Sequence, residues 1–158
     1  MNIKYHSVVL FVKNIDLAKE FYKSVLGLEI EMDMGKNVIL QCGMTLWEIG
    51  TNHIIPKTIG IDKIENKGNG FELYFESEDI RNVVDRLKEK DIQFVHEMHE
   101  EPWGQRTIRI WDDDKNIIEI GETLKGFLSR MQNEGLSIKE IVDKTGMKEK
   151  DVIRVLEQ

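Results

Sequence analysis

Residues 102–106, Pro102-Trp103-Gly104-Gln105-Arg106, place an indole, a carboxamide and a guanidinium within a few positions of one another. Trp103 follows a proline at a loop-to-strand corner, where an aromatic face can be left open for stacking or can simply pack. Arg106 can pair with a carboxylate or stack on a planar group. This is chemistry for holding a ligand. Covalent chemistry finds less support. The chain has no glycine-rich phosphate loop and no serine nucleophile elbow. Cys42, in a turn beside Gly43, lacks the basic or helix-terminal neighbours that activate a thiol. His96 and His99 stand three apart on a strand. They are expected to project to opposite faces, as surface residues, unless a bulge intervenes. His53 falls in a polar linker with no partner evident in the sequence.

The elements that position these side chains can be read in order. Ile3 to Val12 is β-rich, with Val8 to Val12 running together as a strand covered on both sides. A helix follows, capped by Asn14 and ended by Gly27, with Leu17, Ala18, Phe21, Val25 and Leu26 on one face. Short strands are predicted at Leu28–Met32, Lys36–Gln41 and Met44–Ile49, with Cys42-Gly43 as a tight turn. Residues 51–69 are polar and punctuated by Pro56, Gly60 and Gly68, which predicts a linker with a short helical turn. The plan then repeats. A strand is expected over Gly70–Ser77, and a helix over Asp79–Lys90 with Ile80, Val83, Val84 and Leu87 inward. Strands follow over Ile92–Glu97, Gln105–Trp111 and Asn116–Gly121. Val12-Lys13-Asn14-Ile15 matches Ser77-Glu78-Asp79-Ile80, and Leu46-Trp47-Glu48-Ile49-Gly50 matches Ile117-Ile118-Glu119-Ile120-Gly121. Such repeats imply two similar units.

His6-Ser7-Val8-Val9-Leu10-Phe11-Val12, followed by a helix ending in Phe21-Tyr22 and Val25-Leu26-Gly27, resembles the first module of the vicinal oxygen chelate superfamily. This is the glyoxalase, bleomycin-resistance and extradiol-dioxygenase group. Phe71-Glu72-Leu73-Tyr74-Phe75-Glu76 and the Pro102–Arg106 stretch are similar to the bleomycin-resistance branch. Asp112-Asp113-Asp114-Lys115-Asn116-Ile117-Ile118-Glu119 is similar to the family's Asp-Pro-Asp-Gly-Asn…Glu ending, departing from it at Asp113 and Lys115. The resemblance covers about residues 3–122. It implies an α+β fold of two βαβββ modules in a cup-shaped mixed sheet with the helices outside. The implied domain is 1–123, with modules at about 1–50 and 70–122 joined by linker 51–69.

Metal-dependent members of the family hold a divalent ion in that cup. The resemblance carries their ligand positions onto Ser7, Glu48, Glu72 and Glu119, with His6 one residue out of phase. Strand alternation puts Ser7, Val9 and Phe11, and Glu72, Tyr74 and Glu76, on the cup side. Trp47, beside Glu48, is expected to face the helix as core, and so is Trp111. The resulting expectation has two branches. One is a metal-free cup binding a small organic ligand through Trp103, Gln105, Arg106, Tyr74 and Phe11. In that branch Glu48 and Glu119 are relics of the repeat, hydrogen-bonded or paired with Arg106 or Arg109. The other is a lyase, isomerase or dioxygenase using Glu48, Glu72 and Glu119, with His6 as a further metal candidate and Glu119 and Glu72 as catalytic groups. Its oxygen-rich set suits Mg²⁺, Mn²⁺ or Ca²⁺ better than Zn²⁺, with Ni²⁺ or Zn²⁺ as further options. Family relatives imply a homodimer.

Residues 124–158 form a separate helical segment. Helices are predicted over Leu124–Asn133, from the Ser137/Glu140 capping box to Gly146, and over Lys148–Gln158. The segment is expected as a small helical cap packing on the cup or on a partner subunit; the spacing of the last two helices resembles a helix-turn-helix, which leaves a regulatory or interaction role as a third reading. The chain has 158 residues and a net charge of −7. Residues 1–123 carry 15 basic and 23 acidic side chains, a net −8, and residues 124–158 carry 7 and 6, a net +1. That balance argues against nucleic acid as a partner. One cysteine, no signal h-region and no apolar membrane span point to a cytoplasmic protein.

Overall fold

A computed structural model describes residues 5–65 and 72–158. Two compact units emerge among them: residues 5–65 with Asp112–Asn116, and residues 72–111 with 117–158. Ile3 and Lys4 of the first predicted strand, and Gly70 and Phe71 of the fifth, lie outside the described residues.

The first unit runs β1 (Val8–Phe11), α1 (Ile15–Ser24), β2 (Ile30–Asp33), β3 (Asn37–Leu40), β4 (Met44–Trp47), α2 (Ile54–Ile59) and α3 (Ile61–Glu65). The second runs β5 (Glu72–Ser77), α4 (Ile80–Glu89), β6 (Phe94–Glu100), β7 (Arg106–Trp111) and β8 (Ile117–Glu122). It ends in α5 (Leu124–Asn133), α6 (Ile138–Thr145) and α7 (Glu149–Leu156). Each unit carries one βαβββ module, and the two four-stranded mixed sheets share one order, β1-β4-β3-β2 and β5-β8-β7-β6. The first and last strands of each module pair in parallel, and the remaining pairs are antiparallel. The predicted α+β architecture of repeated modules is therefore the one observed.

Local chemistry explains the boundaries. The Asn14 side chain accepts hydrogen bonds from the Asp16 and Leu17 amides, satisfying donors the first turn of α1 leaves open. Asp79 does the same for the Asn82 amide at α4. Gly27, at φ +69, lets the chain leave α1 with the Leu28 amide donating to the Tyr22 carbonyl. Ile15, Ala18, Phe21 and Tyr22 of α1 are buried with Leu10, Val12, Val38, Leu40 and Leu46. Leu17 points outward and is 57% exposed, against its predicted place on the inner face. The buried arc of α1 runs through Ile15, Ala18 and Phe21, and Leu17 falls outside it. The second sheet buries Ile108, Ile110, Ile118 and Ile120 together with Ile80 and Leu87 of α4. Each buried aliphatic side chain contributes roughly 1.5–3 kcal/mol. The linker holds two short helices, α2 and α3, rather than a single turn.

The C-terminal helices close a core of their own, from Phe127, Leu128, Met131, Ile141, Val152 and Val155. Ser137 and Glu140 form the predicted capping box, and Gly146 ends α6 in the left-handed region. Arg130 ties this bundle to the sheet of its unit. Its guanidinium donates to both Glu122 carboxylate oxygens, at 2.9 Å each, to Glu134 and to the Gly104 carbonyl. The Glu122 hydrogen bonds lead in raising the Arg130 pKa, and burial opposes them.

Candidate functional site

The register of the parallel strands shows which positions of the two modules correspond. The capping residues Asn14 and Asp79 align β1 with β5, so Val9 matches Tyr74 and Phe11 matches Glu76. Val9 pairs with Thr45, and Tyr74 pairs with Glu119. Thr45, not Glu48, is therefore the counterpart of Glu119, and Glu48 corresponds to Glu122. This corrects the match read from sequence, which was displaced by three residues. Glu48 lies just past β4. One carboxylate oxygen accepts the Ile15 amide at 2.8 Å, capping α1, and the other meets Lys36. The Lys36 hydrogen bond first, then the Ile15 amide, hold its carboxyl below the ordinary carboxylate range.

The placement of Trp47 is also corrected. It pairs with Phe11 in register, their ring centroids lie 5.8 Å apart, and His53 stacks edge-on at 5.0 Å. Register partners on adjacent strands share a face, so Trp47 sits with Phe11 and away from the Leu10 and Leu46 side. Phe11 and Glu48 line a cavity of ≈ 220 Å³ with Ile49, Ile61 and Ile64. His6 precedes β1 and is exposed, and Ser7 is half-buried.

In the second unit the alternation predicted for β5 holds: Leu73 and Phe75 are half-buried, and Glu72, Tyr74 and Glu76 are exposed. Glu119 is buried, and its carboxylate is bound by Arg109. The same guanidinium donates to Glu72 at 2.8 Å and to Glu101 at 2.9 Å. Burial opposes the charge of Arg109, but the bonds to Glu72 and Glu101 outweigh it and raise its pKa. Glu101 is held below the ordinary range, chiefly by its Arg109 hydrogen bond. His96 joins the cluster. Its Nδ1 stands 2.7 Å from the Glu97 carbonyl and its Nε2 3.1 Å from an Arg109 nitrogen. A carbonyl only accepts and a guanidinium only donates, so this geometry selects the neutral imidazole protonated on Nδ1. A register shift between His96 and His99 brings the two rings to 6.1 Å, against the expectation of opposite faces. The bulge supplies the extra residue that reverses the parity.

The residues present do not suit the divalent ion the fold family implies. Glu72 and Glu119, two of the carried-over positions, give their oxygens to a guanidinium. Among the described residues, no group of three or more His, Cys, Asp or Glu side chains is placed to hold a metal.

Three of the predicted ligand residues meet in one place. The Trp103 indole N–H donates to Gln105 Oε1 at 3.1 Å. Gln105 Nε2 donates to the Tyr74 hydroxyl at 2.8 Å and to the Glu122 carbonyl at 2.7 Å. The Tyr74 hydroxyl donates to Glu76 at 3.0 Å. Burial first, then the hydrogen bond to Glu76, raise the Tyr74 hydroxyl pKa against the opposing bond from Gln105. These four side chains and Leu124, Phe127, Thr145 and Met147 line a cavity of ≈ 280 Å³. Arg106 does not line it: its guanidinium lies 3.8 Å from Glu100 and 3.5 Å from Glu134. Sequence reading placed Glu76 on the right face without assigning it to ligand. It expected residues 124–158 as a helical cap on the cup or on a partner subunit, without naming Leu124, Phe127, Thr145 or Met147 as lining residues.

A profile of the glyoxalase-like domain matches residues 5–125. No curated protein sequence matches the chain. Among solved structures, the chain is similar to a protein of unknown function from Agrobacterium tumefaciens, with 28% identity and a TM-score of 0.67 over 78% of this chain and 97% of that one. A lactoylglutathione lyase from the same organism shares 24% identity at a TM-score of 0.53, covering 78% and 96%. A glyoxalase/bleomycin resistance protein/dioxygenase from Alicyclobacillus acidocaldarius shares 15% at 0.56, covering 75% and 89%. At these lower identities the likeness is one of fold. The profile spans both βαβββ modules, and the chain belongs to the glyoxalase-like domain family.

Proposed function

We propose that this protein binds a small organic ligand in the cavity lined by Tyr74, Trp103 and Gln105, and that it does so without a catalytic metal. The observation behind this is the hydrogen-bonded row Trp103–Gln105–Tyr74–Glu76, which presents two half-exposed aromatic rings to the cavity. Such a cavity, mostly apolar with a few placed polar groups, suits a small molecule. The commitment of Glu72 and Glu119 to Arg109 supports the metal-free part. The test is an NMR titration of the Trp103 indole signal with neutral aromatic probes, indole and 2-naphthol, before and after treatment with a chelator. Binding that survives chelation and is lost in Tyr74→Ala, read at the same Trp103 signal, supports the reading. Binding that needs added Mn²⁺, Ni²⁺ or Zn²⁺ and disappears in Glu119→Gln overturns it in favour of metal-dependent lyase or dioxygenase chemistry.

The protein is also proposed to form a homodimer. Val8 and Val9 on the edge strand β1 stay exposed, which supports association. Sedimentation equilibrium tests this. A cytoplasmic location is proposed on the exposed free thiol of Cys42, which suits a reducing compartment. Among the described residues, no helix is long and apolar enough to cross a membrane.

A further inference from the structure

The ≈ 280 Å³ cavity has a composition that its counterpart positions in the first module lack. Phe11 and Trp47 are register partners there, with ring centroids 5.8 Å apart. The corresponding pair in the second module is Glu76 and Gly121. A methyl group built on Gly121 would stand 2.8 Å from Gln105 Nε2 and 3.3 Å from a Tyr74 ring carbon. Glycine at this position is what lets Gln105 and Tyr74 lie where they do. Where the first module has two aromatic residues, the second has a carboxylate and a glycine.

What surrounds the cavity is aromatic, thioether and acidic. Tyr74 is 49% and Trp103 40% exposed, and both line it with Phe127 and Met147. Among its lining residues Glu76 alone is charged. Arg106, Arg130 and Lys144 are paired with Glu134, Glu122 and Glu100. Among the described residues Glu76 has no basic partner, and the hydrogen bond it receives comes from the Tyr74 hydroxyl. Aromatic faces attract cations through the ring quadrupole, best at tryptophan and tyrosine, and a carboxylate adds direct charge attraction. Half of this wall is contributed by α5 and the α6 end, and residues 126–158 lie beyond the family match.

We propose that the cavity between the Tyr74–Trp103 face and helices α5 and α6 is a site for a small organic cation of the quaternary or tertiary ammonium type, with Glu76 as its counter-charge. This rests on the small-ligand reading of the same cavity and narrows it to one chemical class. The aromatic rings and Met147 receive the alkyl groups, and Glu76 sets the sign of the ligand. Neutral ligands of equal shape lose the charge attraction and bind more weakly.

The experiment compares choline with its neutral carbon isostere 3,3-dimethylbutan-1-ol on the full chain. The Trp103 indole signal reports occupancy and calorimetry gives affinity. The expected result is at least about tenfold preference for the cation, on the order of 1.4 kcal/mol. Glu76→Gln should remove most of that preference by weakening choline binding more than binding of the alcohol. Trp103→Leu should weaken both, with circular dichroism confirming that each variant is folded. Equal affinity for the two probes, or an unchanged preference in Glu76→Gln, overturns the cation assignment while the small-ligand reading stands. Failure of both probes to move the Trp103 signal also overturns it. Indole and 2-naphthol in the same sample then decide separately whether the cavity takes a ligand at all.

Discussion

Replacing Arg109 with methionine keeps most of the side chain's volume and removes the charge on which three carboxylates converge. Glu119 and Glu101 have side chains only 6% and 12% exposed, and Arg109 itself is 21% exposed. Breaking a buried ion pair from one side costs roughly 3–5 kcal/mol, because the remaining charge is left without compensation. An upper limit comes from the alternative of protonating one carboxylate. Near pH 7, with an unfolded-state value of about 4.3, that costs about 3.7 kcal/mol. The expected loss near pH 7 is therefore about 3 kcal/mol, or a fall in Tm of roughly 6–12 °C.

The pH dependence gives the sharper test. In the wild type the Arg109 bond holds Glu101 low, so its stabilisation is complete above about pH 4.3 and fades as pH falls through the lowered folded value. Without Arg109, burial and mutual repulsion push the carboxylates up, so the folded variant takes up protons and recovers as pH falls. The gap between wild type and Arg109→Met must then shrink to about 1 kcal/mol near pH 4.5. Urea denaturation at both pH values measures it. A loss below about 1 kcal/mol near pH 7 would refute the reasoning, and so would a gap that stays constant or widens on acidification.

Three further outcomes follow from other contacts. Tyr22→Phe removes the 2.8 Å hydrogen bond to Asp112. Asp112 keeps its bonds from Asn116 and the Asp114 amide, so the expected cost is about 1.5 kcal/mol by urea denaturation, and no loss would contradict it. Gly104→Ala forces a side chain onto φ +97 and brings its Cβ to 2.7 Å from Met131 Sδ, which should cost about 1–2 kcal/mol and alter ligand binding beside Trp103. An alanine variant as stable as wild type would rule out that strain. Ser137→Ala opens the capping box of α6, with an expected loss of about 1 kcal/mol and faster amide exchange at the first turn of α6, and unchanged exchange would count against the cap.

The order of elements, the caps at Asn14, Asp79 and Ser137, and the in–out alternation of β5 were legible in the amino-acid sequence. Each depends on neighbours a few residues away: a side chain reaching its own helix's amides, or side chains alternating along one strand. The module repeat was legible for the same reason, since it is a repeat of such local patterns. Tertiary structure alone decided which strand residue stands opposite which. Register is a choice among long-range hydrogen-bond pairings, and it made Thr45 rather than Glu48 the partner position of Glu119 and turned Trp47 toward Phe11. A bulge in β6, which no local signal marks, brought His96 beside His99. Residues 37 and 10 positions from Arg109 became its ligands through strand pairing, which brought Glu72 and Glu119 to one guanidinium. The Trp103–Gln105–Arg106 cluster that first suggested a ligand site is divided in the structure. Trp103 and Gln105 line the cavity, while Arg106 turned to Glu100 and Glu134. The C-terminal segment was legible as a helical cap, and only packing decided that Leu124, Phe127, Thr145 and Met147 are its residues at the cavity.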